Sequence, residues 1–142
     1  WTFAKHIKYL SEKSPFYQKI FASYQIDPFQ IRTVEDLSLL PFTTKEDITS
    51  FFSDFLCVPE AEIIDICLTS GTTAEPITIC LTLKDLDRLG YNEEISLRTT
   101  GITENDRVLV AVAMDRCFMA GLAYFLGLNR IGATVIRGGS SS

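Results

Sequence analysis

The run Leu68 to Pro76 reads Leu-Thr-Ser-Gly-Thr-Thr-Ala-Glu-Pro, and its residue types and spacing suggest chemistry more strongly than any other stretch of the chain. Four hydroxyl side chains, Thr69, Ser70, Thr72 and Thr73, flank Gly71. The glycine admits backbone conformations in which successive amide hydrogens converge on an anion, so such a loop can hold phosphate oxygens. It is not the Walker loop, because that pattern needs GxxxxGK[ST] leading into a helix and no lysine follows here. The same hydroxyls could instead satisfy their own backbone in a hairpin turn, and the run alone leaves both readings open.

Other chemistry finds less support. His6 is the single histidine of the 142 residues, so a triad or multi-histidine metal site would have to be completed by another chain or by sequence outside these residues, and a base for a serine nucleophile finds no support in the sequence. His6 sits beside the stripe Phe3, Ile7 and Leu10 and reads as a residue at the edge of a helix face. Cys57, Cys67, Cys80 and Cys117 show no CxxC and no short Cys/His spacing, so they read as reduced thiols of a cytoplasmic protein, with no zinc site. Arg116 could pair with a substrate carboxylate, but its neighbour Asp115 makes a surface ion pair the plainer reading. Thirteen Lys and Arg against eighteen Asp and Glu give a net charge of −5, which argues against nucleic acid or an anionic membrane as the partner. The longest apolar run, Cys117 to Leu128, is twelve residues, short of the roughly 20 a membrane span needs, and reads as a buried helix.

The elements that must position the loop follow from spacing and caps. Residues 1–60 form a helical leader with three start signals. Ser14-Pro15 is an N-cap with proline at the first helical position, and Thr33 with Asp36 and Thr43 with Glu46 have capping-box spacing. After Pro59 the pattern becomes β-rich. Ile63 to Leu68 and Ile77 to Leu81 read as a strand pair around the hydroxyl-rich loop. Thr82 with Asp85 starts a helix running to about Thr100, in which Gly90 is unfavourable and after which Gly101 is a left-handed stop flanked by Leu97 and Ile102. Val108 to Met114 reads as a strand covered on both faces, residues 118–131 as a buried helix, and Thr134 to Ile136 as a second strand. Such a strand-helix-strand crossover makes the two strands parallel and places ligands near Asp115 to Phe118 and Arg137 to Ser140. The expected fold class is α/β, with a helical leader (1–60), then a β-hairpin and a crossover (61–142). The chain opens at Trp1 and closes on glycines and serines directly after an apolar strand, so a segment of a longer protein is expected.

The loop resembles the first core motif of the adenylate-forming, AMP-binding enzymes, usually [ST]SGTTGxP between two strands. Leu40-Pro41-Phe42-Thr43-Thr44-Lys45-Glu46-Asp47, Ser14-Pro15-Phe16-Tyr17 and Gly132-Ala133-Thr134-Val135-Ile136 are similar, in order and spacing, to segments of the phenylacetate CoA ligase branch. The resemblance implies that residues 1–142 are part of the large amino-terminal domain of an acid–thiol ligase whose carboxyl-terminal domain lies elsewhere. Such a ligase uses ATP and Mg2+ to turn a small carboxylic acid, aryl acetate-like or other, into an acyl adenylate and passes the acyl group to coenzyme A. It implies phosphate-binding roles for Thr69, Ser70, Gly71, Thr72 and Thr73, an acid-binding lining at Phe118 and Gly121, catalytic residues outside this stretch, no metal ligand within it, and self-association through uncovered apolar surface. Ala74 and Glu75 depart from the glycine and lysine usual there. Two alternatives stay open: a non-catalytic nucleotide-binding relative, and an adenylating enzyme with a protein or amine acceptor.

Overall fold

The computed structural model describes residues 2–69, 76–115 and 117–139. These lie in two compact units, Trp1–Glu60 and Ala61–Ser142.

The first unit is built from helices α1 (Phe3–Lys13), α2 (Pro15–Ser23), α3 (Lys45–Ser50) and α4 (Phe52–Phe55), with 3-10 turns at Pro28–Gln30 and Glu35–Leu39. Its core is Ile7, Phe21 and Ile31, with Phe3, Tyr17, Ile26 and Leu40 packed around them. Ser14 caps α2 as its sequence suggests. It is fully buried, its Oγ accepts from the Tyr17 N–H at 3.4 Å and donates to the Asp54 carbonyl at 3.1 Å, and Phe16 stacks on Phe55 with centroids 4.1 Å apart.

Two helix starts differ from expectation. Asp36 does fold back toward Thr33, accepting the backbone N–H groups of Arg32 at 3.0 Å and Thr33 at 2.9 Å, but the element it opens, Glu35–Leu39, is a 3-10 turn. The second capping box is Thr44 with Asp47, one residue later than Thr43 with Glu46. Thr44 has the extended backbone an N-cap needs (φ −95°, ψ 167°), whereas the Thr43 hydroxyl is engaged with the Tyr17 phenol at 3.0 Å.

In the second unit, strands β1 (Ile63–Leu68) and β2 (Thr78–Thr82) pair antiparallel, with Leu68 opposite Thr78 and an irregularity between Ile63 and Asp65. Strand β2 ends one residue beyond the expected Leu81 because Thr82 both closes the strand and caps α5 (Leu83–Thr99). The Thr82 hydroxyl accepts from the Asp85 N–H at 3.3 Å, and Asp85 accepts the Thr82 N–H at 2.9 Å. The helix stops at Gly101 (φ 91°), whose N–H donates to Arg98, and Leu97 and Ile102 both pack on the core. Gly90, a cost in an isolated helix, sits at a close crossing of two helices here. A Cβ there would meet Arg130 Cδ at 2.9 Å and Leu126 Cβ at 3.2 Å on α6 (Met119–Ile131).

Strands β3 (Arg107–Val110) and β4 (Thr134–Arg137) are parallel neighbours with Leu109 opposite Ile136, so the crossover is as expected. Helix α6, expected to be buried, buries Gly121, Ala123, Gly127, Leu128 and Ile131 and exposes Tyr124, Asn129 and Arg130, and it ends in a full Schellman arrangement. Gly132 (φ 88°) donates to Asn129, and Ala133 donates back to Leu128. The core is Val110, Leu128, Ile131 and Ala133. The strand before the crossover departs from expectation in two ways. It ends at Val110, not Met114, because residues 111–115 leave the sheet to cross the start of α6, where buried Gly121 lets the Ala113 carbonyl come close. Nor is it covered on both faces: Val110 is 5% exposed but Leu109 is 60% exposed.

Candidate functional site

The neck of the hydroxyl-rich loop is closed by a reciprocal pair. Thr69 N–H donates to the Ile77 carbonyl at 3.0 Å, and the Ile77 N–H donates to Thr69 Oγ1 at 2.9 Å. This extends the β1–β2 ladder by one residue, so the loop leaves the hairpin from a fixed base. The Thr69 hydroxyl thus serves its own backbone as an acceptor and keeps its hydrogen for a further acceptor. Ser70, Gly71, Thr72 and Thr73, with Ala74 and Glu75, lie outside the described residues, as does Arg116.

A second segment is docked against that neck. The N–H of Leu68 donates to the Cys117 carbonyl at 3.0 Å, bringing the chain after β3 beside the loop's base. Cys117 holds a left-handed conformation (φ 59°) that side chains adopt rarely, and the bend it makes is followed at once by Phe118 and the first turn of α6. The irregular stretch replacing the end of the expected strand therefore brings Phe118 to the end of β1, where it shares a lining with Leu68 and Thr69.

Between hairpin, α5 and α6 lies a cavity of about 490 Å³, within the range of small-molecule sites. Its walls are mainly apolar: Leu68 and Ile79 from the hairpin, Leu89 from α5, Phe118 and Ala123 beside and on α6. Thr69, Glu93 and Tyr124 are the polar side chains on the lining. Met119 and Ala120, also on the lining, belong to the first turn of α6, which has no side-chain cap. Of the two acid-lining candidates, Phe118 is on the cavity wall. Gly121 is buried a turn further along, beneath Ala113 and Met114, where any Cβ would collide with the Ala113 carbonyl.

Cys67, the thiol on β1 just before the loop, is no nucleophile. Cys67 is 2% exposed, and burial first, then its contact with Asp65 at 3.4 Å, pushes its pKa up to about 11, leaving almost no thiolate near neutral pH. All four cysteines are free thiols. Among the described residues no group of three His, Cys, Asp or Glu side chains converges to hold a metal ion, and no helix is long and apolar enough to cross a membrane.

Glu93, Leu89 and Tyr124 were not singled out by sequence. The signal for Glu93 was present: it interrupts the inward stripe of α5, Leu86, Leu89, Gly90 and Leu97, at a position where an apolar residue would be usual. Tyr124 hides within the nearly all-apolar run of α6, whose pattern does not say which residue faces what.

No family model matches the chain. It is 33% identical over 137 residues, 96% of its length, to the phenylacetate-coenzyme A ligase of Escherichia coli K12, and 29% identical over 131 residues to that of Aromatoleum evansii, covering 30% of each. Among solved structures, 2-hydroxyisobutyryl-CoA ligase in an open conformation, in complex with 2-HIB-AMP and CoA, superimposes with a TM-score of 0.84 over 98% of this chain and 33% of that one, at 23% identity. The same ligase in its thioesterification state gives a TM-score of 0.84 at 25% identity. The chain spans about 30% of the length of the curated relatives it matches. The resemblance drawn from the motifs is thus borne out. Over 92–96% of its residues the chain is similar to phenylacetate-coenzyme A ligases, and its α/β fold is that of the matching part of an acyl-CoA ligase.

Proposed function

We propose that the chain is the amino-terminal part of an AMP-binding domain in an acid–thiol ligase, which joins a small carboxylic acid to ATP as an acyl adenylate and then passes the acyl group to coenzyme A. The observation that carries this reading is the juxtaposition of the base of the hydroxyl-rich run, closed at Thr69 and Ile77, with an apolar cavity whose wall includes Thr69 and Phe118. A carboxylate is a poor nucleophile toward a highly charged triphosphate, so the protein must orient both and neutralise the leaving pyrophosphate. Thr69 to Thr73 would hold phosphate oxygens through amide and hydroxyl donors. Phe118 would bound the acid's tail, with Gly121 setting how closely the 111–115 segment covers α6.

ATP supplies the leaving group when bound, and magnesium its charge neutralisation. Thr69's donor chemistry suits a phosphate, whereas the described residues offer a metal ion no protein cage. The part assigned to this chain is therefore binding and orientation, with the groups that act on the reacting atoms expected elsewhere in the full-length protein. Four free thiols, one of them deeply buried, support a cytoplasmic setting.

The full-length protein, incubated with ATP, magnesium, coenzyme A and a panel of aryl and aliphatic acids, tests the reading. Acid-dependent thioester with release of AMP and pyrophosphate is the expected result. AMP release that requires an amine or a carrier protein in place of coenzyme A would move the protein to the alternative acceptor class. Nucleotide binding with no acid-dependent turnover would make it a non-catalytic relative.

A further inference from the structure

We infer that Glu93 is a specificity-determining residue, and that the cavity beside the loop takes a carboxylic acid whose tail carries a hydrogen-bond donor, an ammonium or a hydroxyl group. This rests on the ligase reading above and narrows its substrate class. Among the described residues, Glu93 is the only carboxylate on a lining otherwise made of Leu68, Ile79, Leu89, Phe118 and other apolar groups, with Thr69 and Tyr124 as its neutral polar members. It is half-buried on the inward face of α5, between Leu89 and Leu97. Its stem is fixed by helix packing, because α6 presents Gly127 at the Glu93 Cβ, where any larger residue would collide.

The neighbouring carboxylate shows how this helix pair treats a structural acid. Glu94 accepts from Arg98 Nε at 3.1 Å and Arg130 Nε at 3.1 Å, and Arg130 also reaches Asp87 at 2.6 Å, so the cations at the α5–α6 seam are engaged on that side. Glu93 has no such partner among the described residues. A half-buried carboxylate without one loses solvation that a bound donor would restore, most strongly when the donor is charged. A ligand that places its own carboxylate toward the loop base at Thr69 and its tail between Phe118 and Leu89 would offer that donor to Glu93. A purely hydrocarbon tail would leave the carboxylate buried against it and be rejected.

The test uses the full-length protein and acid-dependent exchange of pyrophosphate into ATP, with matched acids differing in one group: 6-aminohexanoate and 6-hydroxyhexanoate against heptanoate, and 4-hydroxyphenylacetate against 4-methylphenylacetate. At least one donor-bearing acid should exceed its methyl counterpart at least tenfold in kcat/KM. Glu93→Val should collapse that ratio toward one, and Glu93→Gln should keep the hydroxyl preference while losing the ammonium one. Preference for the methyl acids, or a donor preference that survives Glu93→Val, overturns the inference and leaves the ligase reading standing. Exchange with no acid in this panel or the broader thioester panel overturns both. If Glu93→Val does not fold, the wild-type ratios alone decide.

Discussion

Thr69 commits its oxygen to the Ile77 N–H, and that single bond ties the loop's base to the hairpin. Thr69→Val, close in volume, leaves that partly buried N–H without an acceptor, and a loss of about 1–3 kcal/mol in stability is expected by urea unfolding. Thr69→Ser keeps the acceptor and should fall well short of that loss. A valine variant as stable as the parent would show that the neck does not depend on the hydroxyl. The loop itself is legible at this scale, since four hydroxyls around one glycine before a proline are a local pattern. Glu93 is not, because its meaning depends on α6 placing Gly127 against it and on the hairpin closing the cavity, which are contacts between residues distant in the chain.

Helix α5 shows what local rules carry and where tertiary packing takes over. Its start was readable because Thr82 and Asp85 satisfy each other's backbone N–H, and its stop because Gly101 tolerates a positive φ. Its interior was not: helix propensity alone favours alanine over glycine at position 90 by about 1 kcal/mol, whereas a Cβ there would press on Arg130 and Leu126. Gly90→Ala should therefore fail to stabilise, and Gly127→Ala, facing Glu93 across the same seam, should lower stability by about 1–3 kcal/mol in denaturant unfolding. The end of β3 was unreadable for a related reason. Residues 108–114 are uniformly apolar, so nothing local marks Val110 as the last residue of the ladder. The second capping box, read at Thr43 with Glu46, lies one residue later at Thr44 with Asp47, a shift that goes with the Tyr17 contact to Thr43, between residues distant in the chain. The Thr44–Asp47 cap, and the turn before β3 in which Asp106 accepts the Thr103 N–H at 2.7 Å, also set an acid limit. Backbone N–H donors hold both carboxyls below their usual range, so the folded state binds fewer protons than the unfolded chain near pH 4. The stability they contribute is complete above that pH and is lost as pH falls through the lowered values. Replacing both aspartates by asparagine should reduce the dependence of the unfolding midpoint between about pH 5 and pH 2, with Asp36 and Glu94, also held low by their donors, carrying the remainder.

At the scale of the whole molecule, the 142 residues span about 30% of the relatives' length and leave apolar side chains open. Leu109 and Ile136, opposite each other across β3 and β4, are 60% and 50% exposed, and Ile64 and Ile66 line the outer side of β1. Expressed alone, this chain should self-associate with rising concentration in light scattering, and Leu109→Lys with Ile136→Lys should restore a monomer. The same chain alone should give no acid-dependent exchange of pyrophosphate into ATP, since the groups acting on the reacting atoms are assigned to the rest of the protein. The most direct test of the account asks whether the loop holds ATP's phosphates in the full-length protein. Thr72→Val with Thr73→Val removes two hydroxyl donors at nearly constant volume. Hydrogen bonds to a charged group are worth about 1.5–3 kcal/mol each, so acid-dependent exchange should fall at least tenfold while the melting temperature stays within a few degrees of the parent. Exchange undiminished in a folded double variant would contradict the account and return the run to a turn whose hydroxyls serve only their own backbone.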